Sequence, residues 1–253
     1  MILAVRTVWH HSCMTSQPPP ATVVLVHGAW HGAWCWAALQ AALDERGIPS
    51  LAVDLPGHGA STQPLGDLHG DARHVGDVLD RLGGNVVLVG HSYGGAVITQ
   101  AAAERTDVAH LVYLAAFVPE PGESVVGMLR AMPEAGTLLD AAVRPGPDGS
   151  TVLDPLGAAQ ALYGDCTPGA ISAALDRLSP QPIATVMQPA TGSPIGRVPS
   201  TYVQCLRDRA VDPSHQAIMA QRCDRSITFD CDHSPFLSRT DDTANLLFQL
   251  ARG

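Results

Sequence analysis

The sequence predicts an α/β fold, a doubly wound and mostly parallel sheet interrupted by a helical cap. Three observations predict it. Short, continuous apolar runs alternate with amphipathic stretches, the first runs stop at Gly- or Pro-containing turns, and a Pro- and Gly-rich region over 119–198 breaks the rhythm. Continuous apolar runs of four to seven residues suit parallel strands covered on both faces. Their alternation with helical stretches implies βαβ units rather than hairpins.

The strand runs are Thr22 to Val26, Leu51 to Leu55, Val86 to Val89, Leu111 to Leu114, Thr201 to Leu206 and Ser226 to Phe229. The helical stretches are Ala33 to Arg46, Asp67 to Leu82, Tyr93 to Glu104, Asp212 to Arg222 and Leu237 to Ala251. Gly47 and Gly83 stand just past two of them, where a helix is commonly closed by a residue in the left-handed region. In the 119–198 region, Gly157 to Tyr163 and Pro168 to Leu178 read as short helices, Pro145 to Gly149 as a turn, and no buried strand is evident. The expected division is a flexible extension over 1–20, a core over 21–118 and 199–253, and the cap over 119–198. An insertion between two strands can cover the strand ends, where open α/β sheets bind ligands.

Composition excludes several function classes. The chain of 253 residues is 46% hydrophobic, enough to bury a sizeable core, and its net charge of −9 comes with no basic run. Nucleic acid and anionic membrane surfaces are therefore poor partners. No apolar run reaches the roughly 18 residues of a membrane span. Arg6 interrupts the only N-terminal apolar stretch, so it does not read as a secretion signal, and Met14 is a candidate natural start. The expectation is a soluble, cytoplasmic protein. His10, His11 and Cys13 have no further ligand at hand and do not read as a metal site. The six cysteines lack C-x-x-C spacing and read as reduced, mostly buried thiols, with a pairing of Cys205 or Cys223 to Cys231 left open.

The chemistry centres on Gly90-His91-Ser92-Tyr93-Gly94. This G-x-S-x-G follows a strand and opens a helical stretch. There the serine is thrust above the sheet on a sharp turn, and the flanking glycines avoid clashes. The unpaired N–H groups at the start of the following helix can hold a developing oxyanion. A serine hydroxyl needs a general base, and that base needs an orienting acid. With a serine at such an elbow the chain order is serine, acid, histidine. His233, just after the last strand, is the candidate base and the only histidine of the last thirty residues. His215, near a helix start, is expected at the surface. Two aspartates, Asp208 and Asp212, follow the penultimate strand. Asp212 precedes Pro213 and also reads as a helix N-cap. The oxyanion donors expected are the peptide N–H groups of Ala29, after the first strand, and of Tyr93. His27, His91, Asp54, His58 and Asp232 read as residues that hold loops.

The segments His27-Gly28-Ala29-Trp30-His31-Gly32-Ala33-Trp34-Cys35-Trp36, Gly90 to Gly95 and Asp232-His233-Ser234-Pro235-Phe236 together resemble the α/β-hydrolase superfamily. More narrowly they resemble the branch that holds plant methylesterases, hydroxynitrile lyases and bacterial pyrethroid-hydrolase-like carboxylesterases. The resemblance covers roughly 21–117 and 199–251. It implies a helical cap, no metal and no organic cofactor. It also implies an acid in a Cys-x-x-Asp segment, which Cys205-Leu206-Arg207-Asp208 matches, favouring Asp208. The lyases of this branch carry a lysine after the catalytic histidine and a hydroxyl residue after the first histidine of the oxyanion loop. Ser234 and Gly28 stand there instead.

The function expected is hydrolysis of small apolar esters through an acyl-enzyme on Ser92, Asp208 and His233, the partner being a small-molecule ester. Lactone opening, acyl transfer or carbon–carbon cleavage on the same residues is the alternative, and a small-molecule receptor that kept the fold is a third. The substrate pocket is expected to draw on Trp30, Phe117, Met128, Leu129, Met132, Leu162 and Met187.

Overall fold

The computed structural model describes residues 19–253. The expectations for the N-terminal extension and for His10, His11, Cys13 and Met14 lie outside the described residues.

The core elements run β1 Thr22–Val26, α1 Ala37–Glu45, β2 Ser50–Val53, α2 Leu68–Leu82, β3 Val86–His91, α3 Tyr93–Ala101 and β4 Val108–Leu114. After an intervening cap come β8 Ser200–Cys205, α9 Pro213–Ala220, β9 Arg225–Phe229, α10 Pro235–Ser238 and α11 Thr240–Arg252. The cap between them contains α4 Val125–Ala131, α5 Leu138–Ala142, β5 Val143–Pro145, β6 Ser150–Leu153, α6 Pro155–Leu162, α7 Pro168–Leu175, β7 Gln181–Pro182 and α8 Ile183–Met187.

The core strands form one parallel sheet in the order β2-β1-β3-β4-β8-β9. Both faces are covered. Val24, Val26, Leu88 and Leu111 pack with α2 and α3 residues such as Val75, Leu79, Val97 and Ile98, whereas Val23, Leu25, Val87 and Val89 pack on the other face with Leu39, Leu43, Leu247 and Phe236. That explains why these strands read as unbroken apolar runs. Val26 is level with Val53 on one side and with Gly90 on the other. The residues that follow β1, β2 and β3, namely His27, Asp54 and Ser92, therefore emerge together at the C-terminal edge. The chain reverses its winding between β1 and β3, the switch point where open α/β sheets bind ligands.

The cap differs from the expectation of helices alone. It holds a three-stranded antiparallel sheet, β5-β6-β7. These strands are two to four residues long and partly exposed, so they give no buried apolar run to read. The expected turn over Pro145 to Gly149 is the β5–β6 connection, with Asp148 and Gly149 at positive φ. Among the described residues no helix is long and apolar enough to cross a membrane.

Candidate active site

Ser92 stands between β3 and α3 with φ 52° and ψ −121°, a left-handed conformation that is strained for any residue with a Cβ. Its backbone is tied on every side. The Ser92 N–H donates to Leu114 O (3.2 Å), and Ser92 O accepts from Gly95 N–H (3.0 Å) and Phe117 N–H (3.1 Å). A side chain on Gly94 would place Cβ 2.5 Å from the carbonyl oxygen of Val26, so the turn closes against β1 only with glycine there. The same closeness holds for Gly28, whose added Cβ would lie 3.0 Å from Ser92 Cβ and 2.9 Å from His91 Nδ1. The loop after β1 is thus seated directly on the serine turn.

His233 Nδ1 lies 2.6 Å from Asp208 Oδ2, and both residues are buried. Asp208 accepts three further hydrogen bonds, from Ala210 N–H (2.7 Å) and Val211 N–H (2.9 Å) on Oδ1 and from Gln216 Nε2 (2.7 Å) on Oδ2. A carboxylate that accepts this many hydrogen bonds is held in one orientation. Asp212, the other aspartate after β8, accepts from Ser214 N–H and caps α9. Gln216 joins this network from α9. It also accepts from Cys205 N–H (2.9 Å) and donates to Val211 O (2.8 Å), so it spans β8 and the Asp208 turn. Being an ordinary helix residue eight positions after Asp208, it carries no sequence signal.

Four other histidines fix the loops through backbone groups. His27 donates from Nδ1 to Gly28 O (2.8 Å) and accepts Leu55 N–H on Nε2 (3.1 Å). His31 donates from Nδ1 to Ala29 O (2.8 Å) and accepts the Tyr163 hydroxyl on Nε2 (2.7 Å). His91 donates from Nε2 to His233 O (2.9 Å), holding the His233 backbone. These assignments follow because a carbonyl oxygen only accepts. They leave each ring neutral, which agrees with burial pushing His27 and His91 well down and His31 to about 4. His58 is different: Nδ1 faces Pro56 O and Nε2 faces Gln181 Oε1, each at 3.0 Å. Only a doubly protonated ring satisfies both oxygens, while burial pushes its pKa down. Among the described residues the Ala29 N–H meets no protein acceptor. The Tyr93 N–H, at the first position of α3, has no partner within the helix.

Ser92 opens into a cavity of about 300 Å³ between core and cap. Of the expected pocket residues, Trp30, Phe117 and Leu129 line it. Met128, Met132, Leu162 and Met187 do not. Met128 is buried in the core and Met132 packs beside it, Leu162 belongs to the cap's own cluster, and Met187 is half exposed. Val125, Val126, Leu139 and Val186 supply apolar wall in their place, and Glu134, Thr137, Asp140, Asp212 and His215 are the cavity's polar and charged lining. His215, expected at the surface, is buried and bonded through Nε2 to Pro133 O (2.7 Å). Among the described residues no group of three or more His, Cys, Asp or Glu could hold a metal ion.

A model of the alpha/beta hydrolase family matches residues 23–246. The chain belongs to this family. Among its relatives is a pheophorbidase of Raphanus sativus, 30% identical over 243 residues that cover 85% of this chain and 88% of the relative. A carbendazim hydrolyzing esterase of Nocardioides sp. (strain SG-4G) is 43% identical over 119 residues. That match covers 45% of this chain and about half, 49%, of the relative's length. Among solved structures, a pyrethroid hydrolase from Sphingobium faniae JZ-2 superposes with a TM-score of 0.80 at 25% identity, covering 91% of this chain and 97% of the other. The methylesterase MES16 from Arabidopsis superposes with a TM-score of 0.76 at 27% identity, covering 90% and 98%. These likenesses join the chain to the branch named from its motifs, and the parallel sheet with flanking helices is the fold expected.

Proposed function

We propose that this alpha/beta hydrolase is a serine carboxylesterase acting on small, largely apolar esters through an acyl-enzyme. The observation that carries the reading is the Asp208–His233 hydrogen bond at 2.6 Å together with a strained Ser92 on the wall of the cap cavity. With Nδ1–H donated to Asp208, the lone pair of His233 lies on Nε2, the atom a base uses toward a serine hydroxyl.

In the acylation step His233 Nε2 takes the hydroxyl proton as Ser92 Oγ bonds to the ester carbonyl carbon. The carbonyl oxygen becomes an oxyanion facing the N–H groups of Ala29 and Tyr93, donors that need no reorganisation. As the carbon–alkoxy bond breaks, the proton on His233 passes to the leaving alcohol. Water then repeats the sequence on the acyl-enzyme, and the acid leaves with Ser92 and His233 restored.

The apolar wall of Trp30, Phe117, Val125, Leu129 and Val186 suits an apolar acyl or alcohol portion, and about 300 Å³ suits a small one. Cyanide-lyase chemistry is disfavoured at both positions that would serve it. Ser234 replaces the lysine, and Gly28 leaves no room for a hydroxyl side chain. The names of the relatives, esterase and methylesterase among them, support the same class. The test is product analysis with a panel of p-nitrophenyl and methyl esters and lactones, with and without added alcohol. The expected result is free acid and alcohol from the short apolar esters. Product confined to new esters, or to opened lactones, would replace this reading by acyl transfer or lactone opening.

A further inference from the structure

We infer that Gln181, on the cap strand β7, is a positioning residue for the oxyanion donors. It does this by fixing the peptide plane between Ala29 and Trp30. The inference rests on the serine-esterase reading above.

Trp30 has φ 63°, a left-handed conformation that a bulky aromatic residue holds only when its surroundings impose it. Those surroundings come from the cap. Trp30 N–H donates to Gln181 Oε1 (3.0 Å), Trp30 O accepts from Ser179 N–H (2.9 Å), and the indole Nε1–H reaches Thr151 O and Oγ1 (both 3.2 Å). Thr151 and Gln181 are paired across β6 and β7, so one small sheet grips one residue of the loop after β1.

The orientation of the Gln181 amide follows from its neighbours. The Thr185 hydroxyl donates to Pro182 O (2.6 Å), which leaves its oxygen to accept Gln181 Nε2–H (2.8 Å). Gln181 Oε1 is then turned to Trp30 N–H, and the same oxygen faces His58 Nε2 (3.0 Å). Gln181 is 2% exposed, so water does not compete for these bonds. The Ala29–Trp30 peptide is thereby held at both ends, its N–H by Gln181 and its carbonyl oxygen by His31 Nδ1 (2.8 Å). Rotation of that plane would carry the Ala29 backbone with it and re-aim the Ala29 N–H. Through Gln181 the small cap sheet thus belongs to the apparatus that stabilises the oxyanion.

The test compares Gln181→Leu and Gln181→Glu with the unsubstituted full-length protein on p-nitrophenyl butyrate, after thermal unfolding has shown each variant to be folded. Leu keeps the size and loses the acceptor. Its kcat is expected to fall about 10- to 100-fold with KM changed by less than about threefold, on the scale of a weakened oxyanion donor. Inhibition by a trifluoromethyl ketone, whose serine adduct carries an oxyanion, should weaken in parallel. Glu retains an acceptor oxygen and is expected to recover at least about a tenth of the original kcat. Thr185→Val, which frees the amide without touching Trp30, should lower kcat by about three- to tenfold and stands in if Gln181→Leu does not fold. A Gln181→Leu variant with unchanged kcat, or one altered only in KM with ketone affinity retained, overturns the inference. Ser92→Ala run alongside separates the failures: if Ser92→Ala is inactive and Gln181→Leu is fully active, only the role of Gln181 falls.

Discussion

Asp208 Oδ2 accepts the Nδ1–H of His233 at 2.6 Å while its other oxygen is filled by the N–H groups of Ala210 and Val211. The carboxylate therefore has one position and presents one lone pair to the histidine. Asp208→Asn keeps the shape but brings an amide that can offer N–H to the ring and favour the wrong tautomer. On the proposed mechanism kcat falls by about 10³- to 10⁴-fold with little change in KM. Steady-state kinetics on a p-nitrophenyl ester reads this directly, and an Asp208→Asn variant within tenfold of the original would remove Asp208 from the machinery.

Gln216 acts on His233 only through Asp208, and its loss should be felt less. Gln216→Leu removes one of two donors on Oδ2 and the acceptor of Cys205 N–H. An effect of about 10-fold on kcat is expected, together with destabilisation of about 1–3 kcal/mol for the backbone group left unpaired. Denaturant unfolding and kinetics on the same preparation separate the two effects.

Asp71, on α2, is a buried carboxyl that accepts the Tyr93 hydroxyl on Oδ2 (2.7 Å), while its Oδ1 has no partner. Burial pushes it up to about 7. In the unfolded chain an aspartate titrates near 4. Between those values the folded protein holds a proton that the unfolded chain has lost, so stability falls as pH rises from about 4 to about 7. Asp71→Asn removes that slope. The variant should melt higher than the original above pH 7, by at least about 2 °C if one kcal/mol is recovered. Equal melting temperatures from pH 5 to pH 8 would count against the burial argument.

Leu129 lies on α4 at the cavity wall and is partly exposed. Leu129→Trp should shorten the cavity without disturbing the core. KM for a p-nitrophenyl octanoate is expected to rise at least about fivefold while kcat for the acetate stays within about twofold. Parallel losses on both esters would place the acyl chain elsewhere.

The sheet was legible in the sequence because its strands are covered on both faces. Val86 to Val89 and Thr22 to Val26 had to be continuous apolar runs; the second ended where the chain turned out over the sheet edge, and the first ended two residues short of it, because β3 runs on through Gly90 and His91. The elbow was legible because a serine there needs glycines beside it, and Gly94 meets the Val26 carbonyl where any side chain would clash. The cap was legible only as an interruption. Its strands of two to four residues are too short to show a period, and its methionines gave no sign of which would face the cavity. Met128 turned into the core and Met187 outward, whereas Val125 and Val186 on the same two helices line the cavity. Gln181 and Gln216 were invisible for another reason. A buried glutamine is defined by the backbone groups it meets, and those lie far away in the chain.

The proposed chemistry depends first on Ser92 being the nucleophile. It is tested most directly by treating the protein with a fluorophosphonate and locating the adduct by mass spectrometry. One phosphonyl group per chain is expected, on the peptide containing Ser92, abolished in Ser92→Ala and slowed at least about 100-fold in His233→Ala. Labelling on another residue, or undiminished labelling of Ser92→Ala, would contradict it.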